Sequence, residues 1–341
     1  MAACEFLPHV VAAWISWVQE VVRVPERLLL HGGMLQGSVP RSFTDHQRLS
    51  LALLDELALG SQSKWHPYIQ CLPSRLASPL HFTAADMEAL SGAYAGVIAQ
   101  HMLQQYMRFE AAAVAWAREQ RPASTVFMPK LLRWATSMVQ SRAFTIDKPK
   151  DPDHPLNGRP FLAPGADLLN HSPAARVGWS LGARNKAAAS VGGAFQIYTL
   201  LSAQRGDEVY NHYQDFGGAH LLSHYGFSVS DNANDFLPIS LGLPVKDVGT
   251  PLGQYKQQLL KKFGLRQVQK LRPSGVSTRM INVVRVLALA EERERWVADD
   301  FDTSSQLLPV TSVRACVAGV AGLCVCASCA CLLTFAFAAP G

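Results

Sequence analysis

Apolar residues recur with the period of an α-helix through the first half of the chain. The stretch Thr44-Asp-His-Gln47 has the pattern of a capping box, apolar residues follow it at helical spacing, and Gly60 supplies a stop signal. This spacing predicts that residues 41–144 are largely helical. The predicted helices run from Thr44 to Gly60, from about Thr83 to Pro122, and from Pro129 to about Ser141.

The period changes to that of a β-strand after a connection rich in proline and glycine between positions 147 and 164. Apolar and polar side chains then alternate in short runs, and Gly192-Gly193 has the composition of a hairpin turn. The predicted strands cover Val177–Leu181, Ala194–Leu200 and Glu208–Tyr213. Helical spacing returns beyond Pro244 and predicts helices over Pro251 to Phe263 and Thr278 to Trp296.

Composition restricts the class of protein. The chain has 341 residues, of which 49% are hydrophobic and 17% charged, so it can bury at least one full core and is not disordered. Lys and Arg together number 31 against 26 Asp and Glu. This mild basic excess does not form a nucleic-acid-binding stripe, and we expect a monomer with no nucleic-acid partner.

The cysteines and the N-terminus bear on the compartment. Cys4 and Cys71 stand alone, whereas five cysteines crowd into positions 316–331, so no disulfide framework spans the body of the chain. Glu5 and the lack of a positive leading region argue against a secretory signal or a transit peptide, and the apolar stretch Phe6 to Val18 is expected to be a packed helix. An intracellular location follows, without a choice among cytoplasm, nucleus and plastid.

The C-terminal segment has a different character. Positions 315–339 carry no charge, and as a helix these 25 residues would reach about 37 Å, enough to cross a hydrocarbon core of about 30 Å. Their richness in Ala, Gly, Ser and Cys lowers the hydrophobicity per residue. A membrane anchor and an irregular end both stay open as interpretations of this segment.

A series of motifs in one order carries the functional signal. Asp167-Leu-Leu-Asn170-His171 is followed by Gly206-Asp-Glu-Val-Tyr210, and then by His224-Tyr225-Gly-Phe227. The series resembles the SET-domain methyltransferases, and in particular the branch that includes the Rubisco large-subunit lysine methyltransferases. Ser63 to Ile69 and Trp134 to Phe144 match the same branch, and the resemblance covers about Val21 to Trp296.

The resemblance implies an α+β fold. Its core is a SET fold of short β-sheets with a threaded, pseudoknot-like C-terminal part, a mainly helical insertion and a C-terminal helical domain. The implied divisions are an N-terminal segment with the first SET strands (1–40), the helical insertion (41–144), the SET core (145–244), a partial substrate-binding domain (245–310) and the apolar tail (313–341).

The resemblance also implies an activity. Its members transfer a methyl group from S-adenosylmethionine to a nitrogen of a protein substrate, most often a lysine in an accessible segment. A lysine amine has an ordinary pKa near ~10.4 and must lose its proton before it attacks. A dry channel beside the donor's sulfonium cation lowers that pKa, and positioning is then the main task of the protein.

The matched positions give a set of candidate site residues, all of them implied by the resemblance. Tyr225 is the candidate active-site tyrosine, and Tyr213 would line the same channel. No metal is implied. The candidate donor-binding residues are Asn170, His171, Arg142, Asp167, Tyr225 and Phe227.

Two departures from the family leave an alternative open. Members of the branch carry a glycine-rich donor turn ahead of a segment like Val21 to Pro25, whereas positions 1–20 contain no glycine. Gly217-Gly218 stands where the family has a Ser-Asn pair. The alternative is a non-catalytic SET-fold protein that binds peptides without a complete donor site.

A zinc hydrolase is the rival enzyme class. His220 and His224 stand four residues apart and would share one face of a helix, with His171 and His212 as further candidate ligands. The stretch lacks the glutamate that serves as general base in zinc proteases. We therefore expect no metal at these histidines.

Overall fold

A computed structural model describes residues 19–122, 124–146, 154–182 and 193–289 of the chain. The expected N-terminal helix and the apolar tail lie outside the described residues, and the five-part division stays a prediction. The chain forms two compact units. Among the described residues, the first comprises 19–88, Ile98–Phe216 and His220–Ser228, and the second comprises Ala89–Val97, Gly217–Ala219 and 229–289.

Helices dominate the described residues, as the apolar spacing predicted. Thr44 caps the first helix with the predicted capping box, since its hydroxyl accepts from the Gln47 N–H and the Gln47 side chain accepts from the Thr44 N–H. None of these helices is both long and apolar enough to cross a membrane. The helices are α1 (Asp45–Leu59), α2 (His66–Cys71), α3 (Ala84–Ala89), α4 (Tyr94–Gln120), α5 (Pro129–Arg142), α6 (Gly218–Tyr225), α7 (Pro251–Lys262) and α8 (Thr278–Ala288).

The single helix predicted from Thr83 to Pro122 is wrong, because the chain forms α3 and α4 with a break between them. Gly92 in the break has a φ of +77°, a left-handed conformation that ends a helix and that glycine adopts without strain. Thr83 starts α3, where its N–H donates to Asp86 Oδ2 at 2.7 Å. Apolar spacing continues through the break, which is why periodicity alone joined the two helices.

Within the ranges that the structure describes, three small antiparallel sheets accompany the helices. In the largest, β5 lies between β1 and β4, and the pairing sets Val24 opposite Phe195 and Trp179 opposite Ile197. The strands are β1 (Gln19–Pro25), β2 (Leu30–His31), β3 (Phe161–Leu162), β4 (Val177–Gly182), β5 (Ala194–Thr199), β6 (Leu237–Ser240) and β7 (Val268–Leu271). In the smaller sheets β2 pairs with β3, and β6 pairs with β7.

The strand predicted over Glu208–Tyr213 is also wrong. This segment has bridge residues only at Glu208 and at Asn211, which pairs with His171, and is otherwise irregular. A strand needs a continuous ladder of backbone hydrogen bonds, and here the neighbouring chain offers only a short stretch of partner backbone. Apart from the bridge at Glu208, the only feature of a strand in this segment is its short pairing with the chain around His171.

The first unit has two hydrophobic clusters. The insertion cluster joins α1, α2, α4 and α5, with fully buried residues such as Leu53 and Met138. The sheet cluster is aromatic, and Phe144 contacts the rings of Phe161 and Phe195 at 6.3 and 4.8 Å between centroids. Helices and short antiparallel strands thus segregate into different layers, as expected for the α+β class.

The second unit has its own core around α7 and α8, and a buried ion pair lies beside it. Lys256 on α7 is 1% exposed, and its Nζ donates to Asp247 Oδ2 at 2.6 Å and to the Leu287 carbonyl at 2.7 Å. A side chain on Gly253 would collide with the carbonyl oxygen of Asp247, so glycine is needed for this close approach. The ion pair therefore ties α7 to the turn before it and to α8.

Replacement of Asp247 by alanine is expected to lower the free energy of unfolding by about 3–5 kcal/mol, because it leaves the Lys256 ammonium buried without a counter-charge. Urea denaturation followed by circular dichroism measures the loss. Lys246→Ala is the control, since this exposed neighbour should change stability by no more than about 0.5 kcal/mol. Equal effects of the two variants would contradict the structural role of the pair.

Candidate active site

Two segments distant in sequence meet at the candidate site. The carbonyl of Asn170 accepts a hydrogen bond from the Asn211 N–H at 2.7 Å, and the Asn211 carbonyl accepts one from the Ser172 N–H at 3.0 Å. The chain directions are parallel at the bridge between His171 and Asn211. This short pairing, rather than a strand, explains why the motif around Glu208–Tyr213 looked β-like.

Tyr213 is held at both its backbone and its side chain. Its N–H donates to His171 Nδ1 at 3.1 Å, and its hydroxyl donates to the Leu169 carbonyl at 2.7 Å. The ring of Tyr213 also lies 5.1 Å from the ring of His171. Burial raises the pKa of Tyr213, so its hydroxyl stays protonated and keeps this donor bond at neutral pH.

Tyr225 faces Tyr213 from the end of α6. The two ring centroids are 4.7 Å apart, and burial raises the pKa of Tyr225 to about 12. Gly226 follows with a φ of +82°, and a Cβ there would lie 2.5 Å from the carbonyl oxygen of Ala77. Both the conformation and the close approach require glycine directly after the tyrosine.

A cavity of about 120 Å³ opens beside these tyrosines. Its wall comes from the end of α5 and the residues after it, from β4, from the Asn211 segment and from the end of α6. Aromatic rings and a few polar groups form the lining. The lining residues are Ser141, Arg142, Ala143, Phe144, Thr145, Asp167, Trp179, Asn211, Tyr213, Gln214, Phe216 and Tyr225.

Arg142 and Asp167 form a buried charged pair in this wall. Arg142 Nη1 donates to the carbonyl of Asp167 at 2.9 Å and lies 3.4 Å from Asp167 Oδ2. Burial raises the pKa of Asp167, and the positive charge of Arg142 opposes that rise. Tyr68 donates its hydroxyl to the same Oδ2 atom at 2.7 Å.

The seven predicted site residues fall into two groups. Arg142, Asp167, Tyr213 and Tyr225 all line the cavity. The other three do not line it: Asn170, His171 and Phe227. Of these, His171 and Phe227 pack near Tyr213, since the ring of Phe227 lies 6.0 Å from that of His171 and 6.4 Å from that of Tyr213. The roles assigned to all seven stay predictions.

Asn211 is a site residue that the sequence interpretation missed. It is 2% exposed, and its Oδ1 accepts from Trp179 Nε1 at 3.1 Å and from the His212 N–H at 2.8 Å. Trp179 in turn packs edge-on against Phe144 at 5.1 Å. A polar residue between two motif tyrosines was a signal that could have pointed to Asn211, whereas nothing local marked Trp179.

Glu208 is a second residue that was missed. Asn170 is exposed and donates its Nδ2 to Glu208 Oε1 at 2.7 Å. The hydrogen bond orients the amide of Asn170, with its Oδ1 directed away from the carboxylate it contacts. Because Glu208 is part of the motif that ends at Tyr210, its position in the series was the available signal.

The two histidines of the rival zinc interpretation stack on each other. The rings of His220 and His224 are 3.8 Å apart and almost parallel, and Phe216 stacks on His220 at 4.0 Å. Burial lowers the pKa of His224. Across the residues that the structure covers, no group of three or more His, Cys, Asp and Glu side chains is arranged to hold a metal ion.

The architecture matches solved structures of known fold. The SET domain of LSMT bound to lysine and AdoHcy superposes with a TM-score of 0.66 at 20% identity, over 85% of this chain and 66% of that chain. Rubisco LSMT bound to AdoMet gives a TM-score of 0.57 at 19% identity, over 85% and 65% of the two chains. This chain has the SET fold. The α+β class and the SET architecture predicted from the motifs are therefore confirmed.

Curated relatives agree with the fold, and they are SET-domain protein methyltransferases. An actin-histidine N-methyltransferase of Drosophila melanogaster is 27% identical over 85% of this chain and 56% of that protein. A ribosomal lysine N-methyltransferase of Schizosaccharomyces pombe is 28% identical over 60% and 36% of the two chains. The chain spans about half or less of the length of these relatives, and no protein-family model matches it.

His171 predicts a pH dependence of stability. Burial, followed by the charge of His212, lowers the pKa of His171 below 6.5, so the folded SET chain binds this proton less tightly than the unfolded chain does. The contribution of His171 to the free energy of unfolding is complete at pH values above the pKa of the unfolded chain, and it is lost as the pH falls below about 6.5. Other histidines whose pKa is lowered act in the same direction: His31, His46, His81 and His224.

We therefore expect the free energy of unfolding to fall between pH 6.5 and pH 5, and His171→Gln to reduce that slope without removing it. Urea titrations at several pH values measure the slope. An NMR titration of the His171 ring should give a midpoint below 6.5. A midpoint at or above 6.5, or an unchanged slope in the variant, would refute the role assigned to His171.

Proposed function

We propose that this SET-fold chain is an S-adenosylmethionine-dependent protein-lysine N-methyltransferase. The observation that carries the proposal is the pair of partly buried tyrosines, Tyr213 and Tyr225, which face each other and line a cavity that Arg142 also lines. The SET fold and the similarity to protein methyltransferases support the proposal. The substrate class, the donor and the activity of the whole protein are part of the proposal.

The chemistry of the lining fits the donor. A sulfonium cation is attracted to aromatic faces, and the cavity presents the rings of Tyr213, Phe216 and Tyr225. Arg142, whose side chain is 10% exposed, is the residue that would hold a carboxylate. The bound donor supplies an electrophilic methyl group. The cavity is smaller than the ~300–1,000 Å³ of sites that enclose a cofactor-sized ligand, so these residues surround only the end of the donor that carries the sulfonium and the carboxylate.

Tyr225 acts as a hydrogen-bonding group rather than as a base. Since burial raises its pKa to about 12, the hydroxyl keeps its proton across the neutral range. It is therefore available to align an incoming nitrogen, with the Tyr213 ring restricting where that nitrogen sits. The acceptor amine must lose its proton to water on entry into the dry cavity, where its own pKa falls.

Lysine is the acceptor that the lining favours. Phe144, Trp179 and Phe216 offer apolar faces for a methylene stem. The relatives' names include both lysine and histidine methylation. A peptide array with lysine or histidine at the central position separates the two acceptors: methylation confined to histidine would overturn the lysine assignment and keep the transferase.

The non-catalytic alternative rests on the absence of glycine from positions 1–20. Donor binding separates it from the enzyme, because a pure peptide-binding protein needs no S-adenosylmethionine.

The proposal further includes a monomer, an intracellular location and the absence of a nucleic-acid partner. The intracellular location rests on the cysteine distribution, and the absence of a nucleic-acid partner rests on the charge balance.

Replacement of Tyr225 by phenylalanine should lower kcat for methyl transfer by at least ~100-fold, the size seen when a positioned hydrogen-bond donor is removed from an active site. Donor affinity should change little, since the ring remains. Transfer of radiolabelled methyl groups to protein acceptors measures kcat, and calorimetry measures donor binding. Tyr198→Phe is the matched control, because Tyr198 lies on β5 and does not line the cavity.

Asn170→Ala tests the donor half of the site separately. Loss of the amide that Glu208 orients should weaken donor binding by about tenfold, the size of one hydrogen bond to a ligand. Calorimetric titration of S-adenosylmethionine into the full chain gives the affinity. If the folded wild-type chain binds no donor, the enzyme proposal fails and the peptide-binding alternative takes its place.

A further inference from the structure

One side chain of α2 contacts a residue in the wall of the site. Tyr68 belongs to the insertion cluster and is 8% exposed, yet its hydroxyl donates to Asp167 Oδ2 at 2.7 Å. The two residues are 99 positions apart in the chain. Tyr68 itself does not line the cavity, so any effect it has on the site must pass through Asp167.

Asp167 passes the contact on to Arg142. The same Oδ2 atom that accepts from Tyr68 lies 3.4 Å from Arg142 Nη1, and that Nη1 also donates to the Asp167 carbonyl. One carboxylate oxygen thus has two donors, one from α2 and one from the end of α5. The other oxygen, Oδ1, is buried and has no hydrogen-bond partner among the described residues.

This arrangement leaves the carboxylate dependent on Tyr68. Burial disfavours the ionised form of Asp167, whereas Arg142 and the Tyr68 hydroxyl favour it. Without the hydroxyl, Oδ2 keeps a single, long contact to Arg142. The carboxylate must then move toward the guanidinium or take up a proton, and either change alters where Arg142 is held.

We infer that Tyr68 is a positioning residue of the site: through Asp167 it fixes the Arg142 guanidinium at the cavity wall. The inference concerns donor binding and in that respect rests on the proposed function. It assigns to α2 of the helical insertion a part in shaping the site through Asp167, beyond the packing of its own core.

Tyr106 offers a matched comparison within the same cluster. It is 3% exposed, and its hydroxyl donates to the Pro129 carbonyl at 3.2 Å. Tyr68→Phe and Tyr106→Phe therefore remove the same atom from the same hydrophobic cluster. A merely structural role predicts similar effects of the two variants, whereas a positioning role predicts an effect on Arg142 only for Tyr68→Phe.

Two measurements on the full chain test the inference. In the donor-free protein, the ¹⁵N–¹H signal of Arg142 Nε, assigned with Arg142→Lys, should shift and broaden in Tyr68→Phe and stay unchanged in Tyr106→Phe. In calorimetry, the Kd for S-adenosylmethionine should rise about five- to tenfold in Tyr68→Phe, with less than a twofold change in Tyr106→Phe. In turnover, KM for the donor should rise more than kcat falls.

The outcomes separate the inference from the proposed function. If the wild type binds no donor, the function fails, and the Arg142 signal alone decides the inference. An unchanged Arg142 signal and donor Kd in a folded Tyr68→Phe overturn it. If Tyr68→Phe does not fold, Asp167→Asn replaces it: this variant keeps the shape and a partner for Tyr68 but removes the charge. An unmoved Arg142 signal in Asp167→Asn overturns the inference as well.

Discussion

The rest of the site depends on a pairing of only a few backbone groups. Asn170 and Ser172 bond Asn211 from either side, and this fixes two segments that the sequence separates by some forty positions. With these bonds in place, Tyr213 finds its acceptor on Leu169 and its ring partner in His171. The pairing is short, but its central residue, Asn211, is only 2% exposed. In that setting an unmade bond is costly, so a few contacts suffice to specify one arrangement.

A buried charged group in the first unit is likewise fixed by a few specific contacts. Asp167 is a buried anion, and it is tolerated because a cation and a hydroxyl reach it from two different parts of the chain. Both donors come from the helical insertion, Tyr68 from α2 and Arg142 from the end of α5. Asp167 itself lies between Ala166 and Leu169 of the sheet cluster, so its carboxylate ties the insertion to that cluster at the edge of the cavity.

Local features could be predicted from the sequence, and long-range ones could not. The capping box at Thr44 and the glycine stop at Gly60 involve neighbours along the chain, so their chemistry is visible in the letters. The ordered motifs placed Tyr213 and Tyr225 in one site because the resemblance carries tertiary information with it. No such signal existed for Tyr68, whose partner is 99 positions away, or for Trp179. The break at Gly92 was missed because a helical period can continue across an interruption of the backbone.

The approach of Ala77 to Gly226 has a consequence for how such a chain can diverge. Ala77 is exposed, and an exposed loop residue ordinarily drifts freely in both identity and loop length. Here only its backbone oxygen matters, since that atom lies close to Gly226, the residue that follows Tyr225. Selection should therefore tolerate almost any side chain at position 77 while rejecting insertions and deletions around it, so that the constraint is recorded in alignment gaps and not in residue conservation.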